Sequence, residues 1–500
     1  MQYRLSLLAA ALLSTTAQAA GYKIFEQSTS SMGSAYAGRG ALVEDATVVY
    51  SNPAAMSRLG GSELVGGLSL VSAEVAFDNA SATDARGLQV QGKSADTLEA
   101  LAAIPHFYYH RPLSERIHFG LALVVPYGVE SDYDDDFVGR YFADESRFEI
   151  LSLQPTLSYA LDQAWSVGLG INLNHAEGKL SKFKDHGGLC QLPDQYVNQL
   201  YGMISGGAFT QVAQDGYCRS HYSVEGDDFG VGMNVGIHYQ PSDKLQLGLA
   251  WHSQVHYRLK GDSEITHTPI SGEFVPEGAP FWVAPTIPGV VDGQKLPAVD
   301  LATNKLAIND RLVEASQLSL TTPQSLMLSG AYQQGDWTWL ATANWTDWSQ
   351  FQSIRVESRA GFGPISVSTS QAQNLNEAGL IGYIPEHWQD AWAYAVGLHY
   401  RLDEAMKLRL GYALDESPIP DSHRTARIPS SDRQWFTLGL GWQLAPQWQL
   451  DLAYGYMFMD DVRVEEREFN AQDQALYQSG YQADYEIDAH VLSAQLAYRF

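Results

Sequence analysis

The stretch WSVGLGINLN at residues 165–174 decides the fold class. Large apolar residues occupy its odd-numbered positions, and serine, glycine or asparagine occupy the even ones. The same alternation runs through residues 231–240, 392–400 and 436–444. Because successive side chains of a β-strand point to opposite faces of the sheet, a period of two residues is typical of strands. The chain is therefore expected to be an all-β protein.

Alternating strands fit either of two architectures. In a soluble sandwich the large side chains pack against a second sheet, whereas in a membrane barrel they face lipid. Aromatic residues near the ends of the segments favour lipid, because amphipathic rings gather at the boundary between membrane and water. These residues are Trp251, Tyr257, Trp345, Tyr400, Trp442 and Trp448.

Fourteen such segments follow one another, and short and long connections alternate between them. Short turns on one side and long loops on the other are typical of outer-membrane barrels, and an even strand number places both chain ends on the periplasmic side. We therefore predict a 14-stranded antiparallel transmembrane β-barrel over residues 62–500, in the bacterial outer membrane. The predicted strands are 62–78, 99–111, 116–129, 147–160, 165–183, 222–240, 244–260, 318–333, 336–350, 388–401, 405–415, 432–444, 448–468 and 483–500.

The composition of the 500 residues agrees with export and argues against nucleic-acid binding. A net charge of −26 would repel a phosphate backbone. Residues 1–19 combine Arg4, an apolar run and an Ala-Gln-Ala ending, which is typical of a cleaved signal peptide. After them, no run of about 18 apolar residues predicts a transmembrane helix.

The last segment carries a second indication of the outer membrane. Leu496, Tyr498 and the terminal Phe500 fall on one face of an alternating strand. A terminal aromatic residue in this position resembles the signal read by the outer-membrane assembly machinery, so we expect that machinery to bind Phe500. An ordinary final strand is the alternative.

Residues 20–61 do not follow the strand pattern and are rich in small side chains. The lumen of a 14-stranded barrel is too wide for its own side chains to fill. We therefore predict that this segment folds inside the barrel as a hatch, where Arg39, Glu44, Asp45 and Arg58 would pair with lumen groups. A disordered tail is the alternative.

Several motifs along the chain carry a family resemblance. Ala35-Tyr36-Ala37-Gly38 and Asn52-Pro53-Ala54 lie in the predicted hatch, and DWSQF at 347–351, DESPIP at 415–420 and Ile428-Pro429 follow in order. Together they resemble the FadL family of outer-membrane long-chain fatty acid transporters. The resemblance implies passive uptake of a hydrophobic molecule from an extracellular groove into the plugged lumen, and then sideways through a gap in the wall.

In that family the gap lies where the third strand bends. Here Pro126, Tyr127 and Gly128 fall within the third segment. Proline removes a hydrogen-bond donor from the ladder and glycine permits a bulge, so pairing is expected to break there and form the lateral opening. The alternative is that the strand ends at this point.

Two long loops are candidates for the outer groove. Val197, Leu200 and Ile204 form an apolar stripe at helical spacing, and Phe281 and Trp282 lie in the loop after the seventh strand. Apolar side chains on exposed loops could bind an acyl chain, or they could pack the two loops together.

The first of these loops is bounded by the only two cysteines, Cys190 and Cys218. An exported compartment is oxidising, so the two could form a disulfide; two free thiols are the alternative. Two isolated thiols lack the spacing of a metal site, and we expect neither a metal nor a cofactor.

In the FadL family a fatty acid head group meets an arginine at the end of the fifth strand and a lysine before the tenth. The resemblance places the first on Lys182 and the second on Ile384, with Glu386 and His387 nearby. The lost cation leaves room for an uncharged aromatic or aliphatic hydrocarbon, since relatives in the family carry compounds such as toluene.

Other classes remain as alternatives. An outer-membrane lipid-acting enzyme is one, although no nucleophile elbow, zinc helix or phosphate loop is present, so we expect no enzyme. A water-filled porin and an adhesin are others. The acidic run at 132–136 is either a solvated loop or a site for divalent ions that bridge to lipopolysaccharide. We expect a monomer surrounded by outer-membrane lipid.

Overall fold

The computed structural model describes residues 21–85, 87–185, 219–266, 299–300, 305–306, 311–363, 365–366 and 377–500. The predicted signal peptide lies outside these residues. Among those described, no helix is long and apolar enough to cross a membrane. The helical turns are α1 (Thr29–Met32), α2 (Val48–Ser51) and the 3₁₀ turns η1 (Pro53–Arg58), η2 (Trp348–Gln350) and η3 (Asp421–His423).

The strands are β1 (Glu63–Thr83), β2 (Asp96–Pro112), β3 (Ile117–Asp132), β4 (Glu145–Ala160), β5 (Trp165–Asp185), β6 (Arg219–Ser242), β7 (Leu245–His252), β8 (Val255–Thr266), β9 (Val299–Asp300), β10 (Lys305–Leu306), β11 (Arg311–Thr322), β12 (Ser325–Gln334), β13 (Trp337–Thr346), β14 (Ser353–Ser358), β15 (Leu380–Pro385), β16 (Ala391–Arg401), β17 (Met406–Asp415), β18 (Arg433–Ala445), β19 (Trp448–Met459), β20 (Val462–Glu466) and β21 (Gly480–Arg499). All but β9 and β10 belong to one sheet.

This sheet is a closed antiparallel barrel with fourteen strands in its wall, as predicted. It closes where β1 pairs with β21, from Glu63 opposite Arg499 to Thr83 opposite Gly480. Five wall strands are interrupted, so that β7 and β8, β11 and β12, β13 and β14, β15 and β16, and β19 and β20 each form one strand of the wall. Connections of a few residues join the strands at one end of the barrel, and the long loops lie at the other.

The alternation of residue size along each strand separates an outer from an inner face. On β5 and β6 the outward side chains of Leu169 and Val231 are 48% and 67% exposed, whereas Ser166 and Asn234 are buried. This inversion of the usual soluble pattern is the one expected of a wall that faces lipid.

The period of two is broken in four neighbouring wall strands. Each of these strands consists of two consecutive parts: β7 and β8, β11 and β12, β13 and β14, and β15 and β16. Odd-numbered side chains face outward on β7 but inward on β8, because an irregularity at Ser253 and Gln254 shifts the phase. Tyr257 therefore faces the lumen, where its hydroxyl accepts a hydrogen bond from Asn174 at 2.8 Å. The prediction that Tyr257 lies at the boundary between membrane and water was wrong.

Residues 21–61 lie inside the barrel against the inner face of the wall. Small residues permit this contact: a Cβ atom added at Gly168, Gly236 or Gly411 would collide with the inserted segment. The Asn52 side chain is buried, and its amide donates to the carbonyl oxygens of Gly40 at 2.7 Å and of Ile237 in β6 at 3.1 Å. Pro53 begins η1 and Ala54 donates back to Asn52 Oδ1 at 3.1 Å.

Candidate functional site

The pairing between β2 and β3 covers only the half of these strands near the short turns. It runs from Pro112 opposite His118 to Phe107 opposite Leu123 and then stops. On the other side of β3, the register with β4 shifts between Val124 and Tyr127. Beyond Leu123, β3 therefore separates from β2, and the hydrogen-bond ladder between these two strands has a gap.

The inserted segment takes over the hydrogen bonds of β3 beyond the gap. Gly128 N–H donates to the Tyr22 carbonyl at 2.9 Å, and Ile24 N–H donates to the Pro126 carbonyl at 2.9 Å. Gly128 is needed here for space, because an added Cβ would lie 2.8 Å from Ile24 Cδ1. The three residues predicted for the lateral opening thus lie at the bend of β3, in contact with the start of the inserted segment.

Tyr22 is enclosed by aromatic rings at this bend. Its hydroxyl donates to the Thr321 carbonyl at 3.0 Å. The interruptions of the wall strands explain the cluster, since residues of η2 and of the break between β15 and β16 turn inward there. The ring centroids within 6 Å of Tyr22 are those of Trp348 at 4.8 Å, Phe148 at 5.4 Å, Phe351 at 5.5 Å, Trp388 at 5.6 Å and Tyr127 at 5.8 Å.

A cavity of about 60 Å³, called here the inner cavity, adjoins this cluster. Most of its lining is apolar. Glu386 is one of the exceptions; its carboxylate accepts a hydrogen bond from Trp388 Nε1 at 2.8 Å. The lining includes Tyr22, Val129, Phe148, Leu180, Leu259 and Ile428.

A second cavity of about 70 Å³, called here the outer cavity, lies on the side of the long loops. The structure places Lys182 and Ile384 together in its lining. The Lys182 ammonium already has a partner, since it lies 2.8 Å from a carboxylate oxygen of Glu468. The two cavities share the side chains of Leu180, Ile354 and Arg427 as a common wall.

Lys184 and Arg427 are buried cations of this site that the sequence analysis missed. Lys184 lies 4.6 Å above the ring of Tyr222, and its ammonium is 3.3 Å from the Ile381 carbonyl. Arg427 is buried, between β17 and β18. Lys184 could have been found, since it falls on the same strand face as Lys182; nothing in the sequence singles out Arg427 beyond its place next to the Ile428-Pro429 motif.

The loop at 467–479 covers the outer cavity. Phe469 and Tyr477 contribute to the lining. Asp473 fastens this loop to the wall, because its carboxylate accepts from the Tyr383 hydroxyl at 2.5 Å and lies 3.1 Å from His387 Nε2. The outer cavity is therefore closed on this side by one extracellular loop.

Several predicted site residues lie outside the described residues. They are Cys190, Val197, Leu200, Ile204, Cys218, Phe281 and Trp282. The predicted outer groove and the predicted disulfide therefore remain predictions.

A closed barrel with a lipid-facing outer surface, an inserted segment and cavities at a break in the wall defines a class, the transport proteins of the outer membrane. The sequence profile described as "Outer membrane protein transport protein (OMPP1/FadL/TodX)" matches residues 10–500. The chain belongs to this family, and its place is the bacterial outer membrane.

Characterised relatives match the chain over most of its length, and solved structures share its fold. The long-chain fatty acid transport protein of Escherichia coli K12 is 26% identical over 464 residues, with 92% of each chain covered. The outer membrane protein P1 of Haemophilus influenzae is 25% identical over 483 residues, covering 93% of this chain and 92% of its own. A Pseudomonas aeruginosa FadL homologue shares the fold with a TM-score of 0.74 at 23% identity, over 96% of this chain and all of the other. The Pseudomonas putida toluene transporter TodX does so at 0.59 and 16% identity, over 94% and 98%.

Proposed function

We propose that this protein takes up long-chain fatty acids or similar hydrophobic molecules passively across the outer membrane. The observation that carries the proposal is that the two cavities adjoin each other and that the inner one lies at the bend of β3. The outer cavity lies beneath an extracellular loop, and the inner cavity adjoins it through a shared wall. Tyr22 lines the inner cavity and is hydrogen-bonded to the edge of β3 that no longer pairs with β2.

The driving force follows from the chemistry of the lining. Each methylene group that leaves water for an apolar cavity contributes about 0.8 kcal/mol. The membrane interior offers the same gain, so a molecule that leaves through the gap between β2 and β3 needs no energy source. The apolar lining and the sideways exit thus fit cargo that ends its passage in lipid.

Side chains must move during passage. Sites for drug-sized ligands commonly span about 300–1,000 Å³, whereas the two cavities have volumes of only about 70 and 60 Å³. Phe469 covers the outer cavity and Tyr22 closes the inner one. We infer that these two side chains are displaced when an acyl chain enters and leaves.

Uncharged hydrocarbons are the second candidate cargo. Ile384 stands where the family places a lysine, and the Lys182 charge is neutralised by Glu468. Relatives of this fold include proteins named as toluene transporters. A hydrocarbon would need only the apolar part of the route.

The proposal is tested by uptake in bacteria that lack their own transporter of this type. Labelled oleate and labelled toluene are offered separately to cells that express the chain and to cells with an empty vector, at matched surface abundance. We expect oleate uptake well above the vector level, and a smaller gain or none for toluene. Vector-level uptake of both compounds would overturn the proposal, and uptake of toluene alone would favour the second candidate.

We infer that apolar residues of the long loops, among them Val197, Leu200 and Trp282, collect cargo outside. We also infer a monomer in contact with lipopolysaccharide, and assembly directed by Phe500, whose ring is exposed. The proposal requires no catalytic step, so hydrolysis of an ester substrate by the purified protein would contradict it.

A further inference from the structure

We propose that Arg427 binds the carboxylate of the cargo in the wall between the two cavities, and that this contact makes the transporter prefer long-chain acids to neutral molecules of the same length. The inference rests on the proposed function. Ile384 stands where the family places a lysine, and it has no charge with which to bind a carboxylate. The inference therefore assigns the selectivity for acids to Arg427.

Arg427 occupies the right place for this role. It is one of three residues that line both cavities, and the other two, Leu180 and Ile354, are apolar. A head group that moves from the outer to the inner cavity must therefore pass the guanidinium. The remaining apolar lining of the inner cavity suits the acyl chain.

The guanidinium is held rigidly. Its Nη1 donates to Ser146 Oγ at 2.7 Å and its Nη2 donates to the Ser181 carbonyl at 2.8 Å, so it bridges β4 and β5. Its Nε is buried and has no hydrogen-bond partner within the described part of the chain. An oriented donor without a partner is what an incoming carboxylate oxygen requires.

Among the residues that the structure describes, none forms an ion pair with Arg427. Asp144, Glu386 and Glu466 act on it electrostatically, but burial outweighs them and lowers its pKa. Within the described residues each of these acids has another hydrogen-bond donor: Asp144 binds Ser181 and His221, Glu386 binds Trp388, and Glu466 binds Ala426 N–H. A buried cation without a counterion is unfavourable, and a cargo carboxylate would offset that cost.

The two neighbouring lysines are less suited to this task. Lys182 is paired with Glu468 at 2.8 Å. Lys184 lines only the outer cavity, where it lies over the ring of Tyr222. We therefore expect the carboxylate to meet Arg427 at the passage between the cavities.

Arg427 could instead serve only to join β4 to β5 and the loop between β17 and β18. The two roles differ in what they do to cargo of different charge. A purely structural arginine would affect oleate and its neutral methyl ester alike, because the two share one acyl chain. A carboxylate-binding arginine would affect oleate alone.

The test compares the purified full-length protein with Arg427→Gln and Arg427→Lys, using equilibrium binding of oleate and of methyl oleate in the same detergent. We expect Arg427→Gln to weaken oleate binding about tenfold or more with little change for the ester, and Arg427→Lys to restore part of the loss. Arg424→Gln is the matched control, since Arg424 is a buried arginine of the same loop that lines neither cavity.

The outcomes separate this inference from the proposed function. If the wild-type protein binds and transports both ligands but Arg427→Gln lowers both equally or neither, the assignment to Arg427 is wrong and the transport function stands. If the wild-type protein neither binds nor transports oleate, the proposed function fails. Loss of the folded barrel in Arg427→Gln would be seen as a change in its gel mobility without heating, and the selectivity of Arg427→Lys then decides.

Discussion

The Glu44 carboxylate of the inserted segment accepts a hydrogen bond from the Arg409 guanidinium of β17 at 3.0 Å. The same guanidinium donates to Asp451 of β19 at 2.6 Å, and both of these wall side chains are fully buried. Lys407 also pairs with Glu44. The later part of the inserted segment is thus fastened by charge, whereas its start is joined to β3 by two backbone hydrogen bonds. We infer that the start at Tyr22 is the end that moves.

Arg409→Met should strongly destabilise the barrel, because it leaves the carboxylates of Glu44 and Asp451 buried with their common partner removed. Breaking a buried pair in this way typically costs about 3–5 kcal/mol. The measurement is the free energy of unfolding in urea for the detergent-solubilised protein. Arg401→Met is the control, since its pair with Asp336 is exposed and should contribute at most about 1 kcal/mol. Similar losses for both variants would refute the anchoring role.

Gly128→Leu should reduce oleate uptake several-fold at equal surface abundance. The new side chain starts where Ile24 Cδ1 already lies 2.8 Å away, so it fills the space beside the gap between β2 and β3. The control is Gly66→Leu, because a Cβ at Gly66 meets only the Phe107 ring at 3.9 Å. Unchanged uptake through the Gly128 variant would count against an exit at this bend.

Much of the fold followed from the alternation of residue size, because a lipid-facing wall repeats one rule along every strand. The number of wall strands was predicted for this reason, whereas the bend at Pro126 was predicted from the family resemblance and from the donor that proline removes from the ladder. The breaks in four neighbouring strands were not, because a shift of phase at two polar residues such as Ser253 and Gln254 leaves little trace in the composition. Tyr257 was misplaced for the same reason.

The site was harder to predict than the fold. Lys182 and Ile384 were placed by family motifs, and the structure does bring them together. Arg427 belongs to the loop between β17 and β18, which is distant in sequence from β4 and β5. Its proposed role depends on contacts with Ser146 and Ser181 that only the closed barrel creates. The pairing of Lys182 with Glu468 was equally beyond local sequence reasoning, since 286 positions separate the two.

Tyr22→Ala should speed the uptake of small hydrophobic molecules such as toluene, because it removes the ring that stands between the inner cavity and the bend of β3. The large cavity that remains should also lower stability by about 3–5 kcal/mol. Rates of toluene entry into proteoliposomes measure the first effect. Tyr50→Ala is the control, because Tyr50 belongs to the inserted segment but lines neither cavity. Equal rates for the two variants would show that Tyr22 does not limit passage.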